Sequence, residues 1–444
     1  MSRRELDREI LRLAVPALLT LVAEPLFLLS DAAIVGHLGT PQLAGLGVAG
    51  VVLQTVVGLC IFLAYGTTAA VSRALGAGDL RRALALGVDG LWLAVPVGVL
   101  ATVLGVAFSG PLVGVFGADG EVNRQAETYL RIASLGITPL LLMLAATGVL
   151  RGLQDTRTPL VVAVAGNVLN VVLNLLLVYP AGLGLSGSAL GSVIAQWAMA
   201  GALVLAVVRG ARRHGASLAP DRRGILAAAR AGVPLVVRTV TLRAALLVTT
   251  YAVVLGGDGA PDDLAAHQLA FTIWGFLAFV LDAIAIAAQA LTGRYLGAGD
   301  AAEARAVTRR MIGWGWAVGV VTGVGVAAVA PVLPALFTGD DAVRDLLVPV
   351  LLVVALGQPL CGVVFVLDGV LIGAGDGAYL AWAGLAVLLV FAPVVLGVAG
   401  TVGGLLAVWV VFSAVFMGAR AVVLLTRARG DRWLVLGDRL GSAP

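Results

Sequence analysis

The chain has 444 residues, of which 60% are hydrophobic and 12% are charged, about half the charged share of a typical soluble domain. With a mean hydropathy of +1.04, it carries more apolar surface than one water-soluble core can bury, which excludes soluble globular, disordered and fibrous proteins. All 29 basic residues are Arg, and a net charge of +4 gives no reason to expect a nucleic-acid partner. The helix-length apolar runs therefore predict a polytopic membrane protein made of helices rather than a barrel.

Apolar runs separated by Gly, Pro and charged residues divide the chain into twelve predicted membrane spans. A helical span needs about 20 residues, so twelve spans leave room for short loops and for no sizeable soluble domain. In chain order, the predicted spans are 10–36, 43–71, 83–109, 123–150, 158–180, 184–208, 225–255, 264–292, 303–330, 345–372, 378–398 and 401–426.

The Arg content alternates from one connection between spans to the next. With twelve spans, the N-terminal lead, every second connection and the C-terminal tail share one side, and these segments are rich in Arg, as at Arg73, Arg81 and Arg82. The opposite connections carry only Arg124 and Arg344. The positive-inside rule then predicts a multi-pass protein of the cytoplasmic (inner) membrane with both termini in the cytoplasm.

Two sequence motifs recur at the same offset of 221 residues. SRALGAGD at 72–79 is similar to GRYLGAGD at 293–300, and GVLRGLQD at 148–155 is similar to GVLIGAGD at 369–376. Each half would hold six helices, an even number, so the two halves would have the same orientation across the membrane.

This repeat predicts an all-α fold of two pseudo-symmetric six-helix lobes around a central cleft. We expect an N-terminal lobe at 1–208, a cytoplasmic interlobe linker at 209–224, and a C-terminal lobe with a short cytoplasmic tail at 225–444. Internal repeats of this kind are typical of secondary transporters, whose binding sites lie between the repeats.

Two carboxylates interrupt the first predicted span. Glu24 and Asp31 are seven positions apart and therefore share a helix face, with Pro25 between them as an expected kink. Ionisable groups inside a membrane are costly and usually serve a function, so both acids are candidates for binding a coupling proton. The alternative is that Asp31 is a buried, hydrogen-bonded acid that fixes helix packing.

Polar side chains also mark one face of the fifth and of the sixth span. Asn167, Asn170 and Asn174 follow the i, i+3, i+7 spacing, and Ser192 and Gln196 are four positions apart. Amides in lipid seek hydrogen-bond partners. We expect these five residues to line the cleft, where they would either bond to the first-span acid or hold neighbouring helices together.

The second half carries its own intramembrane charges. Arg238 and Arg243 lie in the seventh span and Asp282 in the eighth. Counted from the cytoplasmic ends, Arg238 and Asp282 are at similar depths, which predicts a buried ion pair. The alternative is that Arg238 faces the cleft and holds an anionic head group, with Asp282 as part of the binding site. Asp368, in the tenth span, stands alone in the sequence pattern.

Cysteine and histidine residues are too few and too scattered to predict a disulfide framework or a metal site. Cys60 and Cys361 each lie inside an apolar run, and His37, His214 and His267 are far apart in the chain. Neither an HExxH nor a GxSxG pattern is present. We therefore expect no enzymatic activity, no metal and no cofactor other than a coupling ion.

Both halves of the chain carry recognisable motifs. In the first half these motifs are EPLFLLSDAAIVGHLGTPQLAGLGVAG (24–50), GVLRGLQDTRTPL (148–160), NVLNVVLNLLLVY (167–179) and GSVIAQ (191–196). In the second half they are VRTVTLRA (237–244), LAAHQLA (264–270), LDAIAIAAQALTGRYLGAG (281–299) and LDGVLIGAGD (367–376). These motifs resemble the multidrug and toxic compound extrusion (MATE) family, in particular its DNA-damage-inducible-protein-F-like branch, and they keep that family's order over nearly the whole chain.

The resemblance implies twelve helices, alternating access and cation-driven export of bulky organic compounds. In this branch the proposed proton site is an Asp that corresponds to Asp31. Its fifth-span partners are an Asn and, four residues on, often an Asp, and here these positions are Asn170 and Asn174. The second acid is thus missing, which makes Glu24 a candidate to supply the lost acidity. Phe27 stands where the family sometimes has a hydroxyl.

The resemblance also bears on the coupling ion. The tenth-span acid used for cation coupling elsewhere in the family corresponds to Asp368. The seventh-span Glu of the sodium-coupled branch has no match, because that region offers Arg238 and Arg243. This difference favours protons over sodium.

We therefore expect a proton-driven antiporter that exports drugs, toxic organic cations or amphiphilic metabolites. The alternative is a flippase or exporter of lipids or lipid-linked precursors, which a wide Arg-lined cleft would favour. The expected partners are small organic substrates and membrane lipids, and the expected state is a monomer. The coupling candidates are Asp31, Glu24, Asn170, Asn174 and Asp368; the cleft candidates are Phe27, Asn167, Ser192, Gln196, Arg238 and Asp282.

Overall fold

The computed structural model describes residues 3–117, 120–257 and 259–437, and these residues are almost entirely helical. The helices of the first half are α1 (Arg3–Gly36), α2 (Thr40–Leu59), α3 (Phe62–Gly76), α4 (Leu80–Ala107), α5 (Ser109–Gly114), α6 (Gly120–Ser134), α7 (Ile137–Gly152), α8 (Arg157–Val178) and α9 (Gly184–Arg213). Those of the second half are α10 (Arg222–Gly256), α11 (Pro261–Gly297), α12 (Ala301–Val329), α13 (Asp341–Gly373), α14 (Gly377–Thr401), α15 (Leu405–Val411) and α16 (Met417–Arg429).

The number of membrane spans agrees with the sequence pattern. Within the described residues, eleven helical stretches are long and apolar enough to cross a membrane. The bent pair α6 and α7 gives a twelfth span if the two helices cross together. The predicted all-α polytopic membrane fold is therefore confirmed.

Three of the predicted spans are interrupted rather than continuous. The second span breaks at Cys60 and Ile61 between α2 and α3, and the fourth bends by 49° at Leu135 and Gly136 between α6 and α7. The last contains a π-helical turn, Phe412–Phe416, between α15 and α16. Hydropathy did not predict these breaks, because an apolar run has the same composition whether its helix is straight or bent.

The described residues form two compact units. One unit is Val15–Gly232, and the other combines the residues before Val15 with those from Val233 onward. The predicted N-terminal lobe at 1–208 is therefore wrong for the N-terminal end of α1, which packs with the second unit. Residues 1–2 and 438–444, at the outer ends of the predicted lobes, lie outside the described residues.

Ion pairs explain why the start of α1 belongs to the second unit. Asp7 accepts hydrogen bonds from Arg310 Nε at 2.7 Å, Arg310 NH2 at 2.6 Å and Trp314 Nε1 at 2.8 Å. Arg294 donates to Glu9 at 2.7 Å. A bidentate Arg–carboxylate contact fixes orientation as well as distance, so it anchors this end of the helix.

The connection between α9 and α10 is shorter than the linker predicted at 209–224. α9 continues to Arg213 and α10 begins at Arg222, so both ends of the predicted linker are helical. Two contacts fasten the connection to α4: Trp92 donates to the Leu218 carbonyl at 3.0 Å, and Asp89 accepts from the Asp221 amide at 3.3 Å. The basic stretch is thus mainly two helix ends.

The core of the first unit is built around α7. Leu141, Ala145 and Val149 of this helix are completely buried among residues from α3, α4 and α9. In the second unit, α13 is held closely by small residues. A methyl group added at Gly319 of α12 would meet Pro359 Cα at 2.7 Å, and one added at Gly369 would meet Ala285 of α11. Such close backbone contacts are how helices associate in membranes, and they fix the position of the α13 side chains.

Candidate functional site

Helix α8 is tied to α1 by side chains at three levels. Asn167 Nδ2 donates to the Ala23 carbonyl at 2.9 Å, Asn174 Nδ2 donates to Asp31, and the Tyr179 hydroxyl, just after α8, donates to the Ile34 carbonyl at 2.9 Å. The predicted face of amides therefore points at the first helix. The outer two contacts join a side chain to backbone, so they hold the helices together, and the middle contact alone involves a carboxylate.

Asp31 is buried with 3% of its surface exposed, and its hydrogen-bond donors are neutral. Its Oδ1 accepts from Asn174 Nδ2 at 2.6 Å and from the Ser188 hydroxyl at 2.7 Å. Its Oδ2 accepts from the Tyr129 hydroxyl at 3.2 Å. The carboxylate is thus satisfied by hydrogen bonds from α6, α8 and α9, without a cationic partner among the described residues.

A second tier of hydrogen bonds extends this network. Asn174 Nδ2 lies 3.3 Å from Asn170 Oδ1, and Asn170 Nδ2 donates to the Ser192 hydroxyl at 2.9 Å. All three side chains are buried. Gln196 does not join the network: its Oε1 lies against Gly136, where α6 and α7 meet, and has no hydrogen-bond partner among the described residues.

The sequence pattern missed two partners of Asp31. Ser188 is four positions before Ser192, on the face of α9 that carries the predicted Ser192 and Gln196, so extending that spacing by one turn would have found it. Tyr129 lies on α6, one of the two helices of the bent span. It carries no comparable signal, because an aromatic residue on a buried helix face is usually core.

Two other predicted residues of α1 are placed differently from Asp31. Glu24 is exposed and makes no hydrogen bond or ion pair with a described residue, although the seven-residue spacing predicts the same face as Asp31. Phe27 is half-buried. The structure therefore does not bring Glu24 into the Asp31 network.

In the second unit, Asp368 lies between two Arg side chains. Arg238 of α10 pairs with Asp368 of α13 through NH2, and its Nε is 3.5 Å from Oδ1. Arg420 of α16 donates to Oδ2 of the same carboxylate at 2.6 Å. All three side chains are buried, with about 10% of each exposed. Asp368 is thus held by two guanidinium groups.

This cluster corrects two predictions. The acid paired with Arg238 is Asp368, whereas matched depths along consecutive helices predict Asp282, which lies half-buried on α11. Asp368 also does not stand alone. Arg420 was missed, although an Arg inside the apolar run MGARAVVLL is a signal of a buried partner. Its guanidinium also lies 5.6 Å from the centre of the Phe416 ring, at the end of the π-helical turn.

Within residues 3–117, 120–257 and 259–437, no group of three or more His, Cys, Asp or Glu side chains is placed to hold a metal ion. Cys60 and Cys361 are free thiols. The chemistry that the described sites offer is therefore that of two buried carboxylates, one bonded to neutral donors and the other to two cations.

Comparison with known proteins identifies the family. The MatE family profile matches residues 16–176 and 234–396, one stretch in each half of the chain. The chain is a member of the MATE family. It is 33% identical over 443 residues to Protein DETOXIFICATION 44, chloroplastic, of Arabidopsis thaliana, covering 95% of this chain and 83% of that relative. It is 30% identical over 303 residues to DNA damage-inducible protein F of Escherichia coli (strain K12), covering 67% of this chain and 65% of that relative.

The MATE fold is also found among solved structures. The crystal structure of the Vibrio cholerae MATE transporter VcmN in the bent form matches with a TM-score of 0.86 at 20% identity, over 96% of this chain and 97% of that chain. The family profile and the relatives place the protein in a family of multidrug and toxic compound efflux transporters, so the predicted family is confirmed.

Proposed function

We propose that this MATE transporter is a proton-coupled antiporter of organic compounds and that Asp31 carries the coupling proton. The supporting observation is that Asp31 is buried, yet its partners Asn174, Ser188 and Tyr129 are all neutral. A buried carboxylate without a cationic partner is costly as an anion, so a proton or a conformational change that admits water relieves the same cost.

The Asn174 side chain suits a carboxyl group that alternates between two protonation states. An amide offers an NH2 donor on one side and a carbonyl acceptor on the other, and rotation exchanges them. Asn174 Nδ2 is 2.6 Å from Asp31 Oδ1, while Asn174 Oδ1 is buried and has no hydrogen-bond partner among the described residues. After rotation, that carbonyl would accept from a protonated Asp31 at a distance ordinary for O–H···O bonds. In this proposal, the carboxylate of Asp31 and the amide of Asn174 together do the work of the two acids that related proteins often have at these positions.

The coupling ion is proposed to be a proton rather than sodium. Hard metal cations take several oxygen ligands. The groups around Asp31 instead present hydrogen-bond donors to both of its oxygens. The seventh span, α10, has no counterpart of the Glu found in the sodium-coupled branch and carries Arg238 and Arg243 in that region.

A gradient experiment in proteoliposomes tests this function. With the membrane potential clamped, an acidic lumen should drive uptake of the permanent cation ethidium, and a sodium gradient of equal size at constant pH should not. Asp31→Asn should abolish proton-driven uptake, and Arg230→Gln, an exposed change on α10, serves as the matched control. Uptake driven by sodium alone, or wild-type uptake by Asp31→Asn, would overturn the proposal.

The proposed setting is the cytoplasmic membrane, with both termini in the cytoplasm and the protein acting as a monomer on small organic substrates. The alternation of Arg-rich connections supports this orientation. In a background lacking Cys60 and Cys361, a single cysteine at Gly215, between α9 and α10, should react with an impermeant maleimide only after the cells are opened. Labelling of intact cells at that position would contradict the orientation.

A further inference from the structure

Arg243 and Arg238 occupy the same helix, but only Arg238 is part of the cluster around Asp368. Arg243 is exposed and makes no hydrogen bond or ion pair with any described residue. It lies 13 positions before Gly256, the end of α10, which corresponds to about 20 Å along the helix axis. The side chain is too short to reach that end, so its charge is held at membrane depth. Charges at this depth face a water-filled cavity or a binding partner.

The guanidinium borders a pocket between α10 and α11. The pocket has a volume of about 320 Å³, which is at the lower end of the range for small-molecule sites. It is lined by Arg243, Leu246, Leu247, Thr250, Gln268, Phe271 and Thr272. The α10 residues follow the i, i+3, i+4, i+7 spacing, so one continuous face of that helix forms the wall. The lining holds one cation and no acid.

Behind the pocket, the buried side chain of His267 contacts two of the lining residues and has a ring nitrogen without a hydrogen-bond partner among the described residues. His267 is 2% exposed; its Nε2 lies 3.1 Å from the Thr250 hydroxyl, and its ring centre is 4.9 Å from that of Phe271. His267 Nδ1 is buried without a hydrogen-bond partner among the described residues, and so is Nε1 of the neighbouring Trp409. Buried polar atoms without partners are few in folded proteins, so two of them next to one pocket call for an explanation such as a bound ligand or ordered water.

We propose that this pocket binds the oxyanion head group of an acidic amphiphile, with Arg243 as the anchor. The guanidinium matches a carboxylate or phosphate group through paired N–H donors. Gln268 is exposed and offers a further amide donor near the start of α11. Leu246, Leu247 and Phe271 provide the apolar surface for the hydrocarbon or aromatic body of the ligand. A simple inorganic anion would leave this surface uncovered, so the ligand is expected to be organic.

The idea that this pocket binds a transported substrate rests on the proposed export function. Ligand binding to the pocket, in contrast, can be measured without any transport. The probe is pyrenebutyrate, compared with its uncharged methyl ester by equilibrium dialysis against the full-length protein in nanodiscs of phosphatidylcholine alone. The wild type should bind the acid at least about tenfold more tightly than the ester. Arg243→Gln should remove this preference, since a charge-assisted hydrogen bond is stronger than a neutral one.

Matched variants separate binding from folding. Arg243→Lys retains the charge and should keep most of the preference for the acid, and Arg230→Gln, on the same helix outside the pocket, should bind as the wild type does. Thermal stability is recorded for each variant, and Arg243→Met, which also removes the charge, replaces Arg243→Gln if the latter is unstable. Equal binding of the acid and the ester by the wild type, or an unchanged preference in Arg243→Gln, would overturn the proposal.

A second arm identifies the source of the head group. Nanodiscs containing phosphatidylglycerol should weaken pyrenebutyrate binding to the wild type if an anionic lipid is the natural occupant, which would favour a lipid-translocating role. Unchanged binding in those nanodiscs would assign the pocket to an acidic solute. Both results support an oxyanion site at Arg243. Binding is measured at equilibrium without a gradient, so failure of proton-driven export would leave this result unaffected.

Discussion

Asp31 in the first unit and Asp368 in the second are both buried, but the two aspartates have opposite surroundings. Asp31 is 3% exposed and Asp368 is 7% exposed, so burial does not distinguish them. Asp31 accepts from an amide and two hydroxyl groups, whereas Asp368 accepts from the guanidinium groups of Arg238 and Arg420. The partners of a buried acid, rather than its depth, therefore determine whether it can change its charge.

The energetic consequence follows from the charge balance of each cluster. Protonating Asp31 removes a buried charge and leaves its neutral neighbours able to hydrogen-bond in either direction. Protonating Asp368 would leave two guanidinium groups close together without the carboxylate between them, which is strongly unfavourable in a low-dielectric interior. This difference supports the proposal that the moving proton is bound in the first unit, and it predicts a structural role for Asp368, which the resemblance implies as a coupling candidate.

The largest expected effect is the loss of stability in Asp368→Asn. This change leaves the buried Arg238 and Arg420 without their shared carboxylate and should cost about 3–5 kcal/mol. Asp31→Asn removes a charge from a neutral network and should cost about 1 kcal/mol or less. Thermal unfolding of both variants in the same detergent measures the difference. Equal losses would show that the two aspartates are energetically equivalent despite their different partners.

A double variant tests whether charge balance causes the loss in Asp368→Asn. Adding Arg238→Gln removes one of the two crowded cations, so Asp368→Asn/Arg238→Gln should recover about 1–3 kcal/mol of the stability lost by Asp368→Asn. The same thermal measurements on both singles and the double give the pairwise coupling. Additive losses without recovery would mean that the Asp368 carboxylate acts through packing and not through its charge.

Exchanging the acid and the amide at the contact between Asp31 and Asn174 tests whether the proton must be bound on α1, and the measurement is transport. The double variant Asp31→Asn/Asn174→Asp keeps one carboxylate and one amide at the same contact, so proton-driven ethidium uptake should recover to within about tenfold of the wild type. A tenfold rate difference corresponds to about 1.4 kcal/mol of activation free energy. Asn174→Asp alone is the matched control. Transport as low as in Asp31→Asn would show that the proton must reside on α1.

The sequence predicted the Asp31 network better than the Asp368 cluster, for a geometric reason. The spacing of Asn170 and Asn174 along one helix fixes a face, and the family resemblance indicates that this face meets the first helix. The partner of Arg238 was instead inferred from depth along two helices. Depth gives the height of a residue in the membrane but not the direction in which it points, so Asp282 and Asp368 were not distinguished.

The fold shows the same limit. The pattern of apolar runs predicted the membrane-spanning helices, because each span must satisfy its own backbone hydrogen bonds. It did not predict that Asp7 and Arg310 place the start of α1 in the second unit, because an ion pair between residues far apart in the chain leaves no signal in an apolar run. Nor did it predict the bend near Gly136, which lies between the helix that carries Tyr129 and the core helix α7.

The smallest expected effect is that of Tyr129→Phe, and it sharpens the description of Asp31 as a site of neutral donors. The Tyr129 hydroxyl is 3.2 Å from Oδ2, the longest of the three contacts, and Asn174 and Ser188 still serve Oδ1 in its absence. Losing one such bond costs about 1 kcal/mol, so proton-driven uptake should fall by no more than about fivefold. Ser188→Ala, which removes a 2.7 Å contact, is the matched comparison and should fall further. The opposite outcome is that Tyr129→Phe abolishes proton-driven uptake while the protein keeps its melting temperature. That result would make the tyrosine hydroxyl itself part of the proton path, and it would contradict the description of Tyr129 as only the weakest of three neutral donors to Asp31.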